Sequence, residues 1–232
     1  MGADVHARPL TGTPGPPSAT ARSSLARDLV DAVLVAVVLA LFVRTFLLQA
    51  YVVPTASMED NILVGDHLVV NKFVFAPHAI PALDRLLPQR RLRVGDVFVF
   101  KFPDDPRRDF VKRAIGLPGD VVEIRDKVVF VNGAPLAESR VTHEDRDLYA
   151  AGRRDQLGPT RVPEGQIFAL GDNRDVSNDS RYWGTVPLEN VKGRPLFVYW
   201  SEPDEPPGRS WIGRVADFFA RTRWDRTFRI VR

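Results

Sequence analysis

The chain has 232 residues, with 32 Lys and Arg against 29 Asp and Glu, a formal net charge of +3 and no cysteine. The missing cysteine excludes disulfides, thiolate nucleophiles and cysteine-rich zinc sites, and the interspersed charges offer no uniform basic surface for nucleic acid. At 232 residues, 44% of them hydrophobic, the chain can build one ordinary domain plus an appendage, or two small domains sharing a core.

Residues 1–27 are rich in Pro, Gly, Ser, Thr and Ala and are expected to form a disordered cytoplasmic tail. Next comes an apolar stretch, LVDAVLVAVVLALFVRTFLL from Leu29 to Leu48, expected to lie within a transmembrane helix over 28–50. Its uninterrupted apolar centre is shorter, Ala32 to Val43, so a buried core helix is the competing reading. Arg8, Arg22 and Arg27 precede the stretch and no Lys or Arg follows between Thr45 and Asn71. That asymmetry predicts a cytoplasmic N-terminus and an extracytoplasmic remainder. A cleaved export signal is a second alternative, though the segment leads directly into the candidate site described below.

From residue 51 to 204 the pattern is that of strands. HLVVNKF (67–73), DVFVFKF (96–102), FVKRAIG (110–116), DVVEIRDKVVFVNG (120–133) and PLFVYW (195–200) are β-branched and aromatic runs between Gly, Pro and Asp punctuation. Asn132-Gly133 signals a hairpin and Pro118-Gly119-Asp120 a turn. About 134–165 reads as an inserted, loop-rich subdomain. The expected fold is mainly β: an antiparallel sheet domain with a small β/loop insertion, preceded by one transmembrane helix. In the last segment, 205–232, arginines alternate with Trp211, Phe218, Phe219, Trp224 and Phe228. Such a mixture suits a lipid headgroup surface, or a terminal element packing its aromatics on the core.

Four histidines, His6, His67, His78 and His143, have no metal-ligand spacing, and no serine sits in a G-x-S-x-G elbow. GLPGD at 116–120 lacks the ending of a phosphate loop. What remains is a serine with a small residue before it, just past the apolar stretch: Val53-Pro54-Thr55-Ala56-Ser57-Met58, followed by GDHLVVNKF. Further blocks are RVGDVFVFK (93–101), DFVKRAIGLPGD (109–120) and GDNRDVSNDSRYWG (171–184).

In this order, after one membrane segment, these blocks resemble bacterial type I signal peptidases, over about residues 29–200. The resemblance implies Ser57 as nucleophile and Lys112 as general base. It implies an oxyanion hole from the Thr55 hydroxyl and the Ser57 N–H, Ser177 as the group that orients the lysine, and Asp179 with Arg181 as a supporting ion pair. It also implies no metal or other cofactor, signal peptides of exported precursors cut after an A-x-A-like pattern as substrates, and a single-pass monomer in the bacterial cytoplasmic membrane, in contact with phospholipid. The chain departs from the family after the nucleophile, where Glu59-Asp60-Asn61 replaces the usual x-Pro-Thr. Met58, Val70 and Phe100 are candidates for the small specificity pockets.

The chemistry is demanding for these residue types. A lysine of ordinary pKa, about 10.4, cannot take a serine proton at neutral pH, so burial must keep Lys112 uncharged. Two alternatives share the sequence: a relative that processes one dedicated substrate, and a silent membrane-anchored scaffold. If Lys112 is not the base, His67 or His143 is the next candidate.

Overall fold

The computed structural model describes residues 19–75, 89–144, 152, 154–203 and 220–231. The chain divides into two compact units, 1–43 and 44–232.

In the first unit, helix α1 spans Ala19–Phe42. No Gly or Pro interrupts it, and Ala, Leu and Val dominate its second half. Leu29, Val33, Leu34, Val37, Leu39 and Leu41 are all more than half exposed. Charges at Arg27, Asp28 and Asp31 shorten its apolar part, and among the described residues no helix is long and apolar enough to cross a membrane. The expected boundaries shift. The helix takes residues 19–27 from the predicted tail, and residues 48–50, expected inside the helix, belong to strand β1, Leu48–Val52. Pairing explains the change: β1 lies antiparallel on β2 (Asp66–Asn71), with Tyr51 opposite Leu68.

The second unit is built on antiparallel sheets. Its strands continue as β3 (Val97–Phe102), β4 (Asp105–Gly116), β5 (Val121–Arg125), β6 (Val128–Val131) and β7 (Ala134–Pro135). They end with β8 (Leu157–Arg161), β9 (Gln166–Leu170), β10 (Val186–Pro187) and β11 (Val191–Ser201). A seven-stranded sheet runs β1-β2-β11-β3-β4-β9-β10, and a four-stranded sheet runs β7-β6-β5-β8.

The central strand β3 shows why the large sheet holds together. Val97 and Val99 enter one apolar cluster with Met58, Ile62 and Val198, while Phe98 and Phe100 enter another with Ala114, Ile167 and Ala169. Both faces are covered, so β3 reads as a continuous apolar run rather than an alternation. β9 likewise sends Ile167 and Ala169 to the second cluster and Phe168 and Leu170 to a third, which it shares with Val122, Ile124 and Val129 of the small sheet. The small sheet is therefore fused to the large one through a common core.

The insertion begins earlier than expected and is more regular. The run 120–133 is a hairpin, β5 and β6, whose turn at Asp126 and Lys127 adopts φ of 48° and 68°. Neither residue is glycine, which hides the turn from the sequence. The Asn132-Gly133 turn forms as read, joining β6 to β7 with φ of 53° and 81°. At Pro118-Gly119 the Asp120 N–H donates to the Leu117 carbonyl at 3.0 Å and Gly119 has φ of 89°, the geometry of a type II turn.

The far C-terminal residues are an integral arm rather than a separate segment. Phe228 N–H donates to Val198 O (2.7 Å), Val198 N–H to Arg229 O (2.9 Å) and Val231 N–H to Leu196 O (2.9 Å). Val231 joins the first core cluster. Arg226, 3% exposed, grips Asp66 through Nε (3.0 Å) and Nη2 (2.5 Å) and also donates to Asn61 O (3.2 Å). Burial opposes the Asp66 charge, but bonds from Arg226, Ser201 and the Leu63 N–H hold its pKa below the usual carboxylate value. Trp224, Phe228 and Ile230 point outward, at 54%, 73% and 59% exposure. Trp211, Phe218 and Phe219, also expected to face lipid, lie outside the described residues.

Candidate active site

The chain leaves β1 through Val53 and Pro54 and tightens into one 3-10 turn, Ala56–Met58. Glu59 N–H closes the turn on Ala56 O (3.1 Å), and Asn61 and Ile62 N–H both donate to Met58 O at 3.1 and 2.9 Å. Met58 and Ile62 are 1% and 0% exposed and plug the turn into the first core cluster. Ser57 is thus held on a short, internally bonded turn anchored on one side by packing.

Its partner arrives from 55 residues away. Lys112 stands on β4 opposite Phe98 of β3, and its Nζ donates to Ser57 Oγ at 2.5 Å. The lysine is 3% exposed and its Nζ lies 5.6 Å from the centre of the Phe110 ring. Burial pushes its pKa down to about 8; the charges of Asp179 and Asp172 oppose that fall, and Arg181 adds to it. Thr55 Oγ1 lies 3.4 Å from Ser57 Oγ, so the second hydroxyl expected at the site is beside the first.

The last sequence block forms the back wall. Asn173 N–H donates to Ser57 O at 3.2 Å, tying the turn to the loop after β9. At Gly171 any Cβ would collide with the Ser57 carbonyl oxygen and the Ser177 side chain, so only glycine fits there. Ser177 is 3% exposed and its Oγ has no hydrogen-bond partner among the described residues; it packs against Gly171 and makes no bond to Lys112.

Asp179 and Arg181 form the expected ion pair, and it is buried rather than superficial. Arg181 donates from Nε to Asp179 Oδ1 and from Nη2 to Oδ2, both at 2.8 Å, with side-chain exposures of 1% and 0%. Asp179 Oδ2 accepts from Gly171 N–H (3.1 Å), and Oδ1 also accepts from Arg181 N–H (3.3 Å), capping helix α2 (Ser180–Trp183). Arg181 then reaches the carbonyls of Arg174 (2.6 Å) and Arg154 (2.8 Å).

Sequence reasoning missed a second bidentate pair. Arg113, the neighbour of Lys112, donates to Asp172 at 2.7 and 2.6 Å and to Gly95 O at 2.6 Å. Both residues stand inside the blocks already noted, but their pairing depends on β4 lying beside β9. The pocket candidates need correction as well. Met58 lines the cleft of about 400 Å³ that contains Ser57 and Lys112, whereas Val70 and Phe100 are fully buried in the cores. Tyr51, Pro54, Val99, Val111 and Val176 line it instead. His67 and His143 lie outside this lining; they face Tyr199 and Asp175. Among the described residues no group of three or more His, Cys, Asp or Glu side chains could hold a metal ion.

A buried amine bonded to a serine hydroxyl, with a second hydroxyl beside it, can deprotonate the serine whenever the amine is neutral. The family model described as "Signal peptidase, peptidase S26" matches residues 26–200. A signal peptidase I of Pseudomonas fluorescens is 37% identical over 215 residues, 75% of this chain and 74% of the relative. The corresponding protein of Pseudomonas aeruginosa is 35% identical over 71% and 69% of the two chains, and that of Bacillus licheniformis 34% identical over 74% and 87%. A crystal structure of a signal peptidase I from Enterococcus faecalis, 33% identical, aligns with a TM-score of 0.38 over 45% of this chain and 97% of that one.

Proposed function

The chain belongs to the peptidase S26 family of signal peptidases, and from that premise we propose that it removes signal peptides from exported precursors by Ser57 chemistry with neutral Lys112 as base. The observation that carries the assignment of roles is the 2.5 Å bond between the buried Lys112 Nζ and Ser57 Oγ. Relatives named signal peptidase I favour a general processing enzyme over one dedicated to a single substrate. The silent scaffold has no support from a site that keeps both reacting groups in contact.

In the proposed reaction Lys112 takes the Ser57 proton as Oγ attacks the scissile carbonyl. The resulting oxyanion is held by the Ser57 N–H and the Thr55 hydroxyl, a type of donor worth roughly 2.7 to 4 kcal/mol. Protonated Lys112 then gives its proton to the departing amine, leaving an acyl-Ser57 ester, and water activated by the same amine releases the peptide acid. Ser177, with an unspent buried hydroxyl, is the group available to orient the amine as it cycles.

The pH dependence follows from the sign of the shift. Lys112 must be neutral to act, and its pKa is lowered to about 8. We predict that kcat/KM on a precursor with an Ala-x-Ala site rises about tenfold per unit below pH 8 and levels off above it. A profile that levels off near pH 6.5 would assign the base to a histidine instead.

The aromatic outer face fits a lipid surface. Val52 on β1, Tyr199 on β11 and Trp224, Phe228 and Ile230 of the C-terminal arm are exposed in the unit that follows α1. We propose that this face, with the apolar part of α1, holds the protein at the membrane, N-terminus cytoplasmic and peptidase unit outside. Replacing Trp224, Phe228 and Ile230 by alanine in the 44–232 unit should weaken binding to anionic vesicles at least about tenfold, since each large apolar side chain removed from water contributes about 1.5 to 3 kcal/mol. Undiminished binding would remove this surface from the account.

A further inference from the structure

Arg108 stands in the wall of the catalytic cleft with no carboxylate hydrogen-bonded to it among the described residues. The other basic residues nearby are matched: Arg107 with Asp105 (2.9 Å), Lys192 with Asp109 (2.7 Å), Arg113 with Asp172 and Lys112 with Ser57. Arg108 is exposed, lines the same cleft as Ser57 and Lys112, and has no acidic hydrogen-bond partner among the described residues. Asp105 feels its charge, but the Asp105 oxygens are engaged by Arg107.

The guanidinium is held in place by stacking. Phe102 and Phe110 lie parallel, 4.5 Å apart at 14°, and the Arg108 guanidinium stands 5.2 Å from the Phe110 centroid and 5.9 Å from that of Phe102. Stacking restrains the guanidinium and leaves its N–H edge free for a bidentate acceptor. Phe110 stands between Arg108 and Lys112 on β4, its ring centre 5.2 Å from the guanidinium and 5.6 Å from the Lys112 Nζ, so the two cationic ends are at most about 11 Å apart. An extended peptide covers that distance in about three residues.

We propose that Arg108 is a specificity-determining residue that favours an acidic side chain in the substrate about three residues from the scissile bond. The proposal rests on the reading of Ser57 and Lys112 as the cutting pair. A peptide carboxylate is favoured over a lipid phosphate because Arg108 shares its cleft with the reacting serine.

The test uses the full chain in phospholipid-free detergent and Ala-x-Ala peptides with one Asp placed in turn at each position from the fifth before to the fifth after the cut. One position about three residues away should raise kcat/KM roughly 2- to 5-fold over the neutral peptide, mainly through KM, the range of an exposed ion pair. Arg108→Glu should invert the preference so that Lys is favoured at that position, and Arg108→Gln should bring the Asp-to-neutral ratio to about one. A flat scan, or an Asp preference that survives Arg108→Glu, overturns the proposal. So does a preference seen only when anionic phospholipid is added, which would make a headgroup phosphate the ligand. Cleavage of the neutral peptide separates the two levels: if the parent never cuts it, the cutting pair is misassigned and the proposal falls with it.

Discussion

Lys112→Met lowers kcat/KM for a cleavable precursor by at least about 10⁴-fold, the scale of loss when one member of a nucleophile and base pair is removed. Methionine fills nearly the same volume in the buried slot beside Phe110 and Ser57, so the loss is chemical rather than architectural. Stability moves the other way. The folded-state pKa of Lys112, about 8, lies below the unfolded value of 10.5, so between these values the unfolded chain binds more protons and stability rises with pH. Below pH 8 the folded parent carries the full cost of a buried ammonium, on the order of 3 kcal/mol, and methionine removes it. At pH 7 the melting midpoint of Lys112→Met should therefore be no lower than that of the parent, measured by circular dichroism beside initial rates. A variant that melts early would mean that the activity loss reports unfolding.

Asp179→Ala has the second largest effect, on the fold first and the site through it. The substitution leaves the Arg181 guanidinium, 1% exposed, without its carboxylate, and frees the Gly171 N–H and the cap of α2. Removing one partner of a buried pair costs about 3 to 5 kcal/mol because the remaining charge stays uncompensated. Denaturant unfolding should show a loss of that size. Asp179→Asn gives the sharper readout. The Asp179 charge holds the Lys112 pKa up, so its removal, with Arg181 left positive, lowers that pKa further. The rising limb of the pH profile should shift to lower pH in the folded Asn variant. A limb that stays in place would confine Asp179 to a packing role.

How much of this was legible in the residues depended on whether a signal was local. β2, β3, β4 and β11 are dense β-branched and aromatic runs and stand close to where the pattern placed them. β1 was hidden because Leu48–Val52 continues the apolar stretch of the helix, and only its pairing with β2 decides for strand. The hairpin at Asn132-Gly133 was readable from its turn residues, while the one at Asp126-Lys127 was not, since neither residue advertises a left-handed backbone.

The candidate site divides the same way. The Asp179 and Arg181 pair was implied by the family resemblance, although its complete burial was not. Arg113 with Asp172 spans 59 residues, and Arg226 with Asp66 spans 160; no sequence pattern joins either pair. Val70 and Phe100 failed as pocket residues for a related reason. Phe100 lies on β3, which is covered on both faces, and Val70 on the core side of the half-buried β2, so a strand pattern alone did not tell core from cleft. No local pattern marks Arg108; only the folded chain brings it to the Phe110 ring and the cleft it shares with Lys112.

The most direct measurement is the cleavage of a purified precursor carrying one Ala-x-Ala site, with the products identified by mass spectrometry, beside a folded Ser57→Ala variant. The account predicts a single cut after the second alanine by the parent and none by the variant. A parent that never cuts, or a Ser57→Ala variant that cuts at the parent's rate, would contradict it.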